Sequence, residues 1–82
     1  MKKCLKCDTS HQLTEHHIFP RHHFRGEGKK VILCSYCHRR LEDIILGIEA
    51  FCGDKHIGER FKLERKDYEQ ILYLFLPRRY TP

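Results

Sequence analysis

Apolar residues change their spacing near the middle of this chain. Before that point they come singly or in short runs: Leu13, then Ile18-Phe19 ahead of Pro20, then Val31-Ile32-Leu33. After it, Leu41, Ile44, Ile45 and Ile48 recur at helical spacing with charged residues between them. The first pattern predicts short strands, since β-branched residues favour the pleated backbone and Pro20 cannot donate to a ladder. One strand is expected over Gln12 to Phe19 and a second over Val31 to Leu33, closing on Cys34. Arg21 to Lys29, with Gly26 and Gly28, reads as a loop, and residues 4–10 as a cysteine knuckle and turn. The second pattern predicts a helix from about His38, stopped by Gly53. A further helix is expected over about Leu63 to Leu76, with Tyr68, Ile71, Leu72 and Phe75 on one face and Pro77 as its end. No repeat, low-complexity tract or linker divides the sequence, so the expectation is one domain over residues 1–82, of small α+β class.

So short a chain buries only about two-thirds of its unfolded surface, and its core alone is marginal without a disulfide or metal staple. The five cysteines choose between these. Their number is odd, four fall in Cys4-x-x-Cys7 and Cys34-x-x-Cys37, and no apolar signal segment precedes them. The expectation is a reducing, cytoplasmic setting with a metal as the staple. The spacing C-x2-C-x26-C-x2-C lets each pair aim two sulfurs at one point about 2.3 Å away, and two such knuckles complete a tetrahedron around a structural Zn2+. Two disulfides would leave Cys52 over. That residue, between Phe51 and Gly53, reads as a free, partly buried thiol. The longest apolar run, Ile71 to Leu76, is far below the roughly 20 residues that span a membrane.

Charge narrows the class of partner. The net charge is +5, and residues 1–40 carry nine Lys/Arg against three Asp/Glu, whereas residues 41–82 carry seven against eight. Six of the seven histidines also lie in the first half. A basic half rich in metal-ligand residue types points to a polyanion, while solubility alone is the plainer reading. Arg21, Arg25, Lys29, Lys30, Arg39 and Arg40 flank the histidines in sequence, which suits contacts to backbone phosphates in nucleic acid. Arg78, Arg79 and Tyr80 form a basic tail open to the same contact.

Between the cysteine pairs lies Glu15-His16-His17-Ile18-Phe19-Pro20, and the second pair runs as Leu33-Cys34-Ser35-Tyr36-Cys37-His38 into Arg39-Arg40-Leu41-Glu42. Successive strand residues face opposite ways, so His16 and His17 cannot share a task in an ideal strand. One can bind metal while the other addresses water, if the strand ends or bends there. His38 stands where a helix begins and Glu42 one turn on, so both can reach one cation. A helix packed across two strands would bring His16, His38 and Glu42 to one side. In this order the segments resemble the HNH (His-Me finger) endonucleases of zinc-ribbon type, in which HHIxP is followed by a loop, a strand and LCxxCH opening a helix. The resemblance covers about residues 4–45.

What the resemblance implies is a ββα-metal core over about residues 4–52, stapled by zinc on Cys4, Cys7, Cys34 and Cys37, with a C-terminal helical extension over about residues 53–82. It implies a metal-dependent endonuclease that hydrolyses phosphodiester bonds in DNA, leaving a 5′-phosphate and a 3′-hydroxyl. His16 and His38 fall on ligand positions for a catalytic divalent cation (Mg2+, Mn2+ or Ni2+), and His17 on that of the general base. Glu42 lies where many members have a second helical His and is a further candidate ligand. With one such site the chain nicks DNA unless it works as a homodimer or in a larger complex. One position departs from the pattern. The family usually has Asn about five residues before the second cysteine pair, and Lys29, which cannot accept a hydrogen bond, stands there. His22 and His23 either compensate or are exposed loop residues near phosphate. The departure keeps open an alternative, a zinc-ribbon nucleic-acid-binding module with an inactive HNH site. A domain stapled by zinc purely for interaction would leave the histidines idle.

Overall fold

Cys34 closes a strand and opens a helix. Its backbone is extended, and its sulfur accepts the Cys37 N–H at 3.4 Å, so it satisfies one of the free donors of the helix that follows. The computed structural model describes residues 2–56 and 59–77. Among these the order is β1 (Leu13–His17), α1 (Arg21–Phe24), β2 (Lys30–Cys34), α2 (Ser35–Cys52) and α3 (Arg65–Phe75). The result is a small α+β structure with one two-stranded antiparallel sheet. Because of the sulfur cap, α2 starts at Ser35, ahead of the expected His38, and Gly53 follows its end as anticipated.

The two strands pair with Leu13 opposite Cys34, His16 opposite Val31 and His17 opposite Lys30. β1 therefore ends at the second histidine, short of Phe19, and only the Ile18 N–H to Lys29 carbonyl bond (3.0 Å) extends the pairing. The connection is not wholly loop. The Pro20 carbonyl accepts from the N–H groups of His23 (3.0 Å) and Phe24 (2.9 Å), forming α1, and Arg25 ends it in the left-handed region at φ 54°. Phe24 anchors this turn by packing its ring edge-on against Tyr68, with centroids 5.7 Å apart. Gly28, at φ +90°, cannot be replaced without a shift, because an added Cβ would lie 2.4 Å from the Phe19 ring.

Leu33, Leu41 and Ile45 are almost fully enclosed where α2 crosses the sheet. Each such side chain stabilises the fold by about 1.5–3 kcal/mol relative to exposure. α3 adds Tyr68, Ile71, Leu72 and Phe75, the face expected from spacing. It starts on a capping box in which Glu64 and Asp67 satisfy each other's backbone N–H. Two expectations need correction. Ile44 is 40% exposed, bordering a shallow trough between α2 and α3 with Arg40, Ile48 and Leu74. Cys52, the last residue of α2, is exposed instead of partly buried. No described helix is long and apolar enough to cross a membrane.

Candidate functional site

The two cysteine knuckles converge. The sulfurs of Cys4, Cys7, Cys34 and Cys37 all lie within 4.8 Å of one another, and Cys7 and Cys34 are 3.7 Å apart. Ligands 2.3 Å from a tetrahedral zinc stand about 3.8 Å apart, so the spacing fits the ion. None of the four is in a disulfide. Burial opposes ionisation of Cys4, yet backbone N–H groups of Cys34, Cys7 and Lys6 aim at its sulfur and bring the thiol down to about 7. Cys37 is pushed far up by burial and by the neighbouring sulfurs. Four such groups cannot all ionise together without a cation between them, which is what a structural metal supplies.

On the sheet face that α2 covers, the ligand atoms of His16, His38 and Glu42 also fall within 4.8 Å of one another. His16 comes from β1 and is 1% exposed; His38 and Glu42 are one turn apart on α2, with Nε2 and Oε1 separated by 3.6 Å. The imidazoles meet edge-on, 5.1 Å between centroids. His16 Nδ1 stands 3.2 Å from Glu42 Oε1, without the alignment of a hydrogen bond. The nitrogen is thus a buried polar atom with no hydrogen-bond partner among the described residues, the condition a cation would relieve. The His16 ring first, and then proximity to His38 and Arg60, holds the Glu42 carboxyl below its ordinary value, toward the anionic form a cation needs. Burial, and then the charge of His16, lowers His38, keeping that ring neutral.

Thr14 decides which nitrogen of His38 is free. Its hydroxyl donates to the Leu33 carbonyl at 2.7 Å, so the same oxygen is left to accept from His38 Nδ1 at 2.8 Å. The proton then sits on Nδ1 and the Nε2 lone pair faces Glu42. Sequence reasoning did not single out Thr14. The signal was there, two residues before His16 on the same strand face.

His17 stands outside this cluster. It is the last residue of β1, its Nδ1 is enclosed with no hydrogen-bond partner among the described residues, and its charge contributes to lowering His38. Lys29, in the place of the usual Asn, has an exposed side chain and engages Ile18 through its carbonyl alone. His22 and His23 do not fill the gap. Both lie on α1, and His23 turns inward to Glu49, Nε2 to Oε2 at 3.0 Å.

Glu49 is the feature that sequence reasoning missed. Its side chain is fully enclosed, and Arg60 binds it through Nε and through Nη2 at 3.2 Å, while Tyr68 donates from 2.6 Å. The Tyr68 oxygen accepts the Leu63 N–H at 3.0 Å, closing the network. The available signal was spacing, because Glu49 is seven residues beyond Glu42 and shares its helix face.

Arg21, Arg25, Lys29, Lys30, Arg39 and Arg40 are all exposed. Lys30 pairs with Glu15 at 3.2 Å. Arg40 does not flank the histidine cluster: two residues on from His38, it projects from the other side of α2, over Tyr36 and into the trough with Lys6 and Ile44. Arg78, Arg79 and Tyr80 lie outside the described residues. No family model, curated protein or solved structure matches this chain.

Proposed function

We propose that the chain is a metal-dependent endonuclease that hydrolyses phosphodiester bonds in DNA. In this reading β1, β2 and α2 form the ββα-metal core, the four cysteines hold a structural zinc, and α3 is an addition that covers the core. The observation that carries it is the His16–His38–Glu42 cluster, with one imidazole oriented by Thr14 and the other holding a buried nitrogen that has no hydrogen-bond partner among the described residues. These three residues would hold Mg2+, Mn2+ or Ni2+, and such a cation supplies Lewis-acid stabilisation of charge developing on the phosphate. His17, neutral, would take a proton from the attacking water. Arg21, Arg25, Lys29, Lys30 and Arg39 would hold the duplex through its phosphates.

One observation favours a second reading, a nucleic-acid-binding module with an inactive site. The enclosed Nδ1 of His17 has no hydrogen-bond partner among the described residues to orient the ring, and Lys29 offers no side-chain acceptor. Incubation of zinc-loaded protein with supercoiled plasmid and each divalent cation separates the two. The nuclease converts plasmid to nicked circles, and His17→Ala loses turnover by about 10² to 10⁴-fold while still binding DNA. DNA binding with no cleavage under any cation would establish the second reading, with Lys29→Asn as the variant then worth testing.

A further inference from the structure

A buried ion pair is often no more stable than apolar residues packed in its place, so Glu49 and Arg60 ask for a reason beyond stability. Glu49 lies two helical turns from Glu42 on the same face of α2, about 10 Å along the axis. Its two oxygens fix the plane of the Arg60 guanidinium through a parallel fork, and His23 and Tyr68 hold Glu49 itself in place. The fork uses two of the five N–H groups of Arg60. Glu49 has no exposure, whereas the Arg60 side chain is 21% exposed. Its charge is felt at Glu42, beneath the larger influence of His16. An oriented guanidinium with N–H groups to spare among the described residues, whose charge reaches Glu42 of the His16–His38–Glu42 cluster, matches the planar, multidentate demand of a phosphate.

We propose that Arg60, held in position by Glu49, binds a phosphate oxygen of the nucleic-acid backbone next to the His16–His38–Glu42 cluster. The ligand class is a phosphodiester, and the inference rests on the nucleic-acid part of the proposed function, not on cleavage. Arg60 is then a binding residue and Glu49 a positioning residue. Neither belongs to the segment whose sequence resembles HNH enzymes.

The test is the salt dependence of duplex DNA binding by zinc-loaded protein with no divalent cation added. Each phosphate contact contributes about 0.9 to the slope of log affinity against log salt. Arg60→Ala should flatten the parent slope by about 0.9. Since this variant leaves Glu49 buried and unpaired, the double variant Glu49→Gln/Arg60→Gln, a neutral hydrogen-bonding pair, serves as the second measure and should show the same loss. Parental slope in the variants that fold would overturn the proposal and leave Arg60 a purely structural partner. A parent protein that binds no nucleic acid at any salt would overturn it together with the nucleic-acid reading. Cleavage is absent from this assay, so failure of the catalytic reading alone is read separately, from the plasmid experiment.

Discussion

Glu42 and Glu49 share one face of α2, two turns apart, in unlike surroundings. Glu49 is enclosed and meets an arginine fork, an imidazole and a tyrosine hydroxyl. Glu42 keeps a side chain 39% exposed and faces two imidazoles, one of them with a buried nitrogen that has no hydrogen-bond partner among the described residues. The first carboxylate faces an arginine and accepts four hydrogen bonds. The second contributes a negative charge to a convergent group of candidate metal ligands. A saturated buried network fixes structure, whereas a convergent, unsaturated one has binding capacity left. The four cysteines fall on the unsaturated side too, since their sulfurs converge and none is in a disulfide.

The comparison holds only while α2 is anchored, and its anchor is the sulfur site at its first turn. The largest expected effect is therefore at Cys34. Structural zinc supplies roughly 10–16 kcal/mol of apparent binding energy, comparable with the whole stability of a small domain. Cys34→Ser should abolish cooperative unfolding and lower the zinc content below about one ion per chain. A Cys34→Ser protein that melts like its parent would remove the zinc staple from the account.

Next comes the saturated end. Glu49→Ala leaves Arg60 without its counter-charge and removes the acceptor for His23 and Tyr68, with an expected cost of about 3–5 kcal/mol. Urea unfolding measures it. A loss under 1 kcal/mol would mean that the network is a surface ion pair in disguise.

A smaller effect is expected from acid. Burial, opposed by Glu49, holds His23 below its ordinary value of 6.5 in the folded protein. The unfolded chain then takes up its proton at higher pH than the folded one. The His23 contribution to stability is therefore fully present above about pH 6.5 and is lost as pH falls toward the depressed folded value. The melting temperature should decline across that window, and His23→Gln, which can still donate to Glu49 but does not titrate, should flatten part of the decline. Equal declines in both proteins would assign the acid sensitivity elsewhere.

Much of this contrast was half visible in the sequence. The C-x-x-C pairs, the i, i+4 relation of His38 and Glu42, the apolar face of α3 and, Ile44 apart, that of α2 follow from local spacing, and the structure brings those residues together as spacing suggests. Glu49 was illegible for a physical reason. A carboxylate on a helix studded with charges reads as solvated, and its partners come from positions 23, 60 and 68, which only the tertiary fold assembles. The α1 turn was missed because four residues, Arg21 to Phe24, are too few to show a period. Nearness in sequence to His38 did not reveal that Arg40 projects from the other side of α2, into the trough with Lys6 and Ile44.

The central claim is that the Glu42 end, unlike the Glu49 end, takes a metal ion. Calorimetric titration of zinc-loaded protein with Mn2+ tests it directly. The parent should bind about one further ion. Glu42→Ala, otherwise neutral to within about 0.5 kcal/mol, should weaken that binding tenfold or more, and Thr14→Val, which frees His38 Nδ1, about tenfold. Tyr68→Phe, which loosens only the Glu49 network, should leave it unchanged. A parent that takes up no second ion, or a Glu42→Ala protein that binds Mn2+ as tightly as the parent, would contradict the account.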